Sequence, residues 1–209
     1  MCPADDPAAP AAQASTTAPT NPGRPGRPRA ADVDRRLHET VLQLLREGGP
    51  GAVTIDGVTS HSGVAKTTIY RRYSNRGELL TAVLRQTMSA PDVPRDGNVR
   101  DKLRSALEQA WHQMSDALGP GGLAALISNS DPEFTELFRS ALRPYIDMLV
   151  QRMNEDANAG VLRHDLDADG VVSLMIGAYV GELVRHGEVA PGWLDRTIEL
   201  LWNLMVPPS

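Results

Sequence analysis

At 209 residues, 41% hydrophobic and 22% charged, the chain can bury a core and has the composition of a globular protein. A single cysteine (Cys2) excludes an intrachain disulfide framework or a cysteine-based metal site, and no apolar run is long enough to span a bilayer. The net charge of −5 hides an asymmetry, because residues 24–85 hold 11 Lys+Arg against 6 Asp+Glu while the remainder holds 10 against 20, a pattern that points to a polyanionic partner for the basic part.

The opening MCPADDPAAP contains acid and lacks an apolar segment, so a secretory signal is not expected and the sequence reads as cytoplasmic. Residues 1–22, rich in Ala, Pro and Thr, cannot bury enough surface to offset their ordering entropy, and residues 1–30 are expected to form a disordered tail. Its last part, GRPGRPR (23–29), places Arg24, Arg27 and Arg29 on an extended Pro/Gly backbone. It resembles an AT-hook core, which implies a minor-groove arm. The alternative is a flexible basic linker.

From Asp32 to Glu47, Val33, Leu37, Val41, Leu44 and Leu45 recur at spacings of three and four, which predicts an amphipathic helix ended by Gly48-Gly49-Pro50. Thr54 is placed to cap a short second helix with Ile55 and Val58 inward, and Ser62-Gly63 makes a tight turn. A third helix is predicted from Ala65 to Tyr73. Asn75, with Glu78 three residues on, starts a fourth that carries Leu79, Leu80 and Val83. Downstream, helices are expected at 99–118, Leu123–Ile127, after Pro132 to about Asn158, 168–186 and 191–205, with no convincing strand.

Two short helices joined by a glycine turn are the helix-turn-helix arrangement, whose second helix enters the DNA major groove. On a helix over 65–73, Ile69 and Tyr73 face inward with Val64. Lys66, Thr67 and Tyr70 share the leading face, flanked by Thr68, Arg71 and Arg72, with Arg76 in the first turn of the next helix. Cations and hydroxyls there suit phosphate oxygens and base edges, and Thr54 at the free amide end of the second helix suits a phosphate.

The stretch TIDGVTSHSGVAKTTIYRRYSNRGELLTAVL (54–84) resembles the N-terminal module of TetR-family repressors, in which Thr and a short helix precede Gly-Val-Ser-x-x-Thr-Leu-Tyr, His-Phe and a Lys. The resemblance implies phosphate contacts for Thr54, Thr68, Tyr70 and Arg76, and base contacts for Lys66, Thr67 and Tyr70. Ala65, Arg72 and Tyr73 depart from the usual Ser, His and Phe, and Gly77 weakens the start of the fourth helix. Arg72 is left with either a base or a backbone role.

The acidic remainder resembles a TetR-family C-terminal domain more loosely, through SDPEFTELFRSALRP and AGVLRHDLDADGVVSLMIGAYVGELV. That implies an effector pocket and a four-helix dimer interface built from the last two helices. Independently, segment 171–184 is apolar nearly all round, so one face can pack on its own domain and the other on a second subunit; the alternative is the central helix of a monomeric bundle. Interface candidates are Gly177, Gly181, Val184, Trp193, Ile198, Leu201, Trp202 and Met205. Pocket candidates are Trp111, His112, Met114, Phe138, Tyr145, Met148, Met175 and Tyr179, against the plainer reading of an aromatic and Met stripe as core.

DLDADG (165–170) opens like a calcium loop, but the twelfth position is Ile176, so an acidic helix cap at Asp167 or Asp169 is expected instead. The five histidines have no metal-ligand spacing, and no nucleophile, acid–base pair or cofactor cradle converges, so neither metal, cofactor nor catalysis is expected. The reading is therefore an all-α regulator with a three-helix helix-turn-helix module (31–86) and a helical effector-binding and dimerisation domain (87–209). Its expected partners are an operator duplex, a second copy of itself and an unidentified small molecule. The rival is a helical small-molecule-sequestering protein without DNA function, which salt-dependent binding to its own promoter would separate from it.

Overall fold

Leu37, Val41, Leu44 and Leu45 all lie on the buried face of α1 (Ala30–Gly48), as their spacing requires. The computed structural model describes residues 30–88 and 97–207; the basic arm with Arg24, Arg27 and Arg29, the preceding tail, and Pro91 and Pro94 lie outside the described residues. A 3₁₀ turn (Pro50–Ala52) leads into α2 (Ile55–Ser62), where the Thr54 hydroxyl accepts from the Gly57 amide as its cap. Gly63 ends α2 at φ 64°, a left-handed conformation that admits glycine without steric cost and turns the chain sharply into α3 (Lys66–Tyr70).

α3 is shorter than its predicted span: it ends at Tyr70, and Arg71, still helical in φ and ψ, leads into a turn in which the Tyr73 amide donates to the Ile69 carbonyl. The inward residues are nevertheless the expected ones: Ile69 and Val64 are buried and Tyr73 is half-buried against the same core. α4 (Arg76–Thr87) starts at the capping box, where Asn75 accepts from the Glu78 amide and Glu78 accepts from the Ser74 amide.

α5 (Val99–Ser128) is one rod broken at Gly119 (φ 53°, ψ −172°), so the two helices expected on either side of Gly119-Pro120 are both present. α6 (Pro132–Asn158) and α7 (Ala168–His186) have the expected bounds, and α8 (Trp193–Met205) starts two residues late. Asp167 caps α7 by accepting from the Gly170 amide, so the acids of DLDADG serve a helix terminus. Among the described residues there is no strand and no group of acids, histidines or cysteines arranged to hold a metal, and no helix is long and apolar enough to cross a membrane.

Two apolar cores result. The first joins α1–α4 to Met114, Ala117 and Leu118 of α5 and to Phe134 and Phe138 of α6, so it crosses the 86/87 boundary expected from sequence. The second packs Leu103 and Leu107 of α5, Tyr145, Leu149 and Met153 of α6, Val172 and Met175 of α7, and Ile198 and Met205 of α8. Between the cores, the end of α1 lies against the break in α5. A Cβ on Gly121 would stand 2.6 Å from the Gly49 nitrogen and 3.0 Å from the Leu45 carbonyl oxygen, both backbone atoms that cannot step aside. Arg46 reinforces the junction by donating from Nη1 to the Asp116 carbonyl at 2.8 Å. Gly121→Ala is expected to lower stability by about 1–3 kcal/mol, read as a fall in the urea midpoint at unchanged m-value. A midpoint equal to wild type would refute this close approach.

Candidate nucleic-acid interface and internal cavity

α3 is too short to hold itself together, and its position comes from packing and from ion pairs. With Ile69 and Val64 buried, the opposite side carries Lys66, Thr67, Tyr70 and Arg71, all exposed, with Tyr70 at 49%. Thr68 is half-buried beside them, and Thr54 is exposed at the start of α2. The structure thus brings six of the eight sequence-predicted contact residues to one surface. Lys66 pairs with Asp56 at 2.7 Å, and both side chains are well exposed. Its ammonium is held above its usual pKa by that hydrogen bond, so it stays cationic.

The other two cations are placed elsewhere. Arg72 donates from Nε to Asp34 Oδ1 at 2.7 Å, clasping the turn after α3 to the first turns of α1. Asp34 is half exposed, so this ion pair lies at the surface of the module. Arg76 is a clear departure from expectation. Its Nε donates to the Val53 carbonyl and its Nη2 to the Pro50 carbonyl, each at 2.8 Å. Nη2 also reaches Asp131 Oδ2 at 2.6 Å, and Nη1 reaches Glu133 Oε2 at 2.8 Å. The side chain is turned inward, and a phosphate could engage it only by dismantling this set. Sequence spacing could not reveal this, because the acids lie 55 and 57 residues away.

Asp131 joins two functions, since Oδ1 caps α6 by accepting from the Phe134 amide while Oδ2 takes Arg76. Partial burial pushes its carboxyl pKa up, but the Phe134 amide and the Arg76 guanidinium outweigh that and hold it below the ordinary 3.8.

A partly open cavity of about 50 Å³ lies where the two cores meet, with Met88 and Met114 on the side of the first and Leu107, Tyr145 and Leu149 on the side of the second. Of the sequence-predicted pocket residues, Trp111, Met114, Tyr145 and Met175 line it. Phe138 is packed in the first core instead. His112 and Tyr179 border an outer groove with Trp111 and Trp193, and Met148 faces a separate cleft between α5 and α6. Met88, Leu107, Ile146, Leu149 and Leu194 complete much of the wall and were missed, because isolated aliphatic residues in helices carry no signal that separates wall from core.

The last two helices sort similarly. Gly177 and Gly181 face outward, with nothing within 4 Å of an added Cβ, and Val184 is 79% exposed. Leu201 and Trp202 are half-buried, Trp202 under the Arg100 guanidinium. Trp193, Ile198 and Met205 turn into their own subunit, contrary to expectation, and Leu174, Leu200 and Leu204 take the outward positions. The apolar arc of α8 spans all of its circumference except the strip of Asp195, Arg196, Glu199 and Asn203, so periodicity alone did not say which of its apolar residues turn inward.

Residues 93–201 match the family model described as "Tetracyclin repressor-like, C-terminal domain", and residues 39–83 match "Bacterial regulatory proteins, tetR family". Uncharacterized HTH-type transcriptional regulators of Mycobacterium tuberculosis and Mycobacterium bovis are 35% identical over 71 residues, 34% of this chain and 35% of theirs. The chain thus aligns with about a third of the length of these curated relatives. Among solved structures, the fatty acid degradation regulator FadR from Bacillus halodurans superposes with TM-score 0.64 at 17% identity, over 84% of this chain and 96% of that one. FadR from Bacillus subtilis, in complex with stearoyl-CoA, gives 0.61 at 16% over 80% and 96%. The TetR family regulator SCO0332 gives 0.56 at 24% over 84% and 99%. At these identities the likeness is one of fold.

Replacing Arg76 by Ala is expected to cost about 2 kcal/mol by urea unfolding, since charged hydrogen bonds are lost and two carboxylates are left unpaired. A carboxyl with a lowered pKa contributes stability that is full above 3.8 and lost as the pH falls through its folded value. Wild type should therefore lose more stability than Arg76→Ala on acidification through that range. Parallel pH profiles would refute the bridge.

Proposed function

Because the chain belongs to the tetracycline-repressor-like family, we propose that it is a dimeric, DNA-binding transcriptional regulator, and that it acts as a repressor released from its operator by a small molecule. The observation that carries this reading is the surface of α3: Lys66, Thr67, Tyr70 and Arg71 stand exposed on a helix whose position is fixed from behind by Ile69 and Arg72. Thr54 and Thr68 flank them as phosphate-binding hydroxyls, whereas Arg72 and Arg76 act by holding the module in place.

The Lys66–Asp56 pair does not oppose this role. An exposed pair is worth only about 0–1 kcal/mol, so a phosphate or base can draw Lys66 away at little cost.

The outward face of α7 and α8 supports the dimer. Leu174 and Val184 on α7, with Leu200 and Leu204 on α8, leave large apolar side chains in water, and Gly177 and Gly181 allow close approach of another helix. Two such subunits would present their α3 helices to half-sites about 34–36 Å apart, one turn of duplex, or a multiple of it. Release by an effector is supported by the position of Met88, which closes α4 and also lines the internal cavity, so the cavity touches the DNA-binding module itself. A solved neighbour in complex with stearoyl-CoA agrees with ligand binding within this fold.

Tyr70→Ala is expected to weaken operator binding at least about tenfold in a gel-shift titration, while sedimentation still reports a dimer. Undiminished binding would sink the assignment of α3 as the recognition helix. The double change Leu200→Glu, Leu204→Glu is expected to yield a folded monomer with native helical circular dichroism. A dimer of unchanged dissociation constant would place the interface elsewhere.

A further inference from the structure

Trp111, Trp193 and Leu194 line both the cavity between the two cores and a separate surface groove of about 280 Å³, so they partition one from the other. The groove runs between α5, α7 and the segment 189–194 that leads into α8. Its volume is near the lower end for small-molecule sites, which start at about 300 Å³.

Three aromatic rings form one wall. The ring centroids of Trp111 and Tyr179 are 4.0 Å apart, those of Trp111 and Trp193 5.0 Å, and those of Tyr179 and Trp193 5.9 Å. Their planes are tilted by 46°, 35° and 71°, so no pair is stacked face to face. Trp193 is buried, while Trp111 and Tyr179 are half-buried and leave part of their surface to the groove. The face of such a ring carries negative potential and attracts cations.

The polar groups beside the rings are suited to the same charge. Glu108 is the one carboxylate among the lining residues, and they include no Lys or Arg. Its ion pair to Arg104 is long at 3.7 Å, and Arg104 makes closer contacts to Asp195, at 2.5 and 3.1 Å. Two carboxylates thus share one guanidinium, which leaves net negative charge next to the groove. His112 Nδ1 donates to the Glu108 carbonyl at 2.8 Å, so Nε2 of the neutral ring is an acceptor. The other cation nearby, Arg196, donates to the Pro191 carbonyl at 3.3 Å and pairs with Glu182 at 3.9 Å.

We propose that this groove binds a small organic cation, a substituted ammonium whose charge lies over Trp111 and Tyr179 within reach of Glu108. The site is distinct from the cavity between the cores, whose lining holds no charged residue. It stands whether or not the chain binds DNA.

Two probes of the same shape test it on the full-length protein: (3-hydroxypropyl)trimethylammonium and its uncharged carbon isostere, 4,4-dimethylpentan-1-ol. Two of the chain's three tryptophans line the groove, so intrinsic fluorescence reports occupancy. The cation is expected to bind saturably and about tenfold tighter than the isostere, with affinity falling as salt rises. Glu108→Gln changes a half-exposed side chain that does not line the inner cavity. It should weaken the cation about two- to fivefold and leave the isostere as it was. Tyr179→Phe keeps the ring and should keep binding, whereas Tyr179→Leu should weaken the cation about threefold or more. Should Tyr179→Leu fail to fold by circular dichroism, Glu108→Gln decides alone. The proposal is overturned if the isostere binds as tightly as the cation, if the cation does not saturate, or if Glu108→Gln affects both probes alike. Operator binding is read separately by gel shift on the same preparation, and its absence would refute the regulator reading while leaving this site in place.

Discussion

One guanidinium ties the start of α4 to both α2 and α6, beside the apolar core that joins the two halves of this chain. Arg76 opens α4, and its nitrogens reach back to the carbonyls that precede α2 and across to Asp131 and Glu133 at the start of α6. Arg76 thereby fixes one end of α4 against α2 and α6 at once. The other end of α4 terminates at Met88, in the wall of the internal cavity. The helix is thus anchored by polar contacts at one end and by apolar packing at the other. The first apolar core, which runs from Leu37 to Phe138, fills the space between. α3, which is joined to α4 by a short turn, is thus held by its own module through Ile69 and neighbours a helix that is itself tied to α6.

The same arithmetic separates cations that can meet a polyanion from those that cannot. Exposed ion pairs contribute about 0–1 kcal/mol, so on the proposed reading Lys66 would exchange Asp56 for a phosphate with little net change. Breaking a shielded multidentate set leaves carboxylates without their partner, at a cost several-fold larger. Arg76 belongs to that second class, whereas Arg72 has a single ion pair to the half-exposed Asp34. The patch from Lys66 to Arg76 therefore divides by function: Lys66 and Arg71 look outward, and the other two arginines clamp the scaffold that presents them.

Where local chemistry dictates a structure, the sequence was legible. Thr54, Asn75 and Asp167 cap α2, α4 and α7 as their residue types require, Pro132 starts α6, and the apolar spacing in α1 names its buried face. Reading stopped at contacts made across long sequence separations. Arg76 has the residue type and helical position of a phosphate ligand, and only the arrival of Asp131 turns it inward. In α8, Asp195, Arg196, Glu199 and Asn203 form a narrow exposed polar face, but the apolar residues spread over the whole remaining arc, wider than one contact surface, and packing beside Leu103 and Leu107 decides which of them are buried. α3 shows the converse limit. Its inward residues were readable from a period of 3.6, but its length was not, because nothing in the residue types from Arg71 to Tyr73 marks the end at Tyr70.

The size of the cavity constrains how release can work on the mechanism proposed here. Driving a two-state regulator from about 1:99 to about 99:1 takes a ligand that prefers one state by about 5.5 kcal/mol. Filling a 50 Å³ void recovers only about 1 kcal/mol, at roughly 24 cal/mol per Å³. Two sites in a dimer double that figure and still fall short. The balance requires roughly 140 Å² or more of apolar ligand surface that becomes buried in the released state alone, at about 25 cal/mol per Å². A ligand small enough to fit the existing space cannot supply it, so the effector must displace part of the wall. Among the lining residues Met88 stands at the end of α4, where displacement moves a helix whose far end is pinned by Arg76. On the proposed mechanism, a push at the Met88 end of a helix pinned at Arg76 would rotate α4 and carry α3 with it.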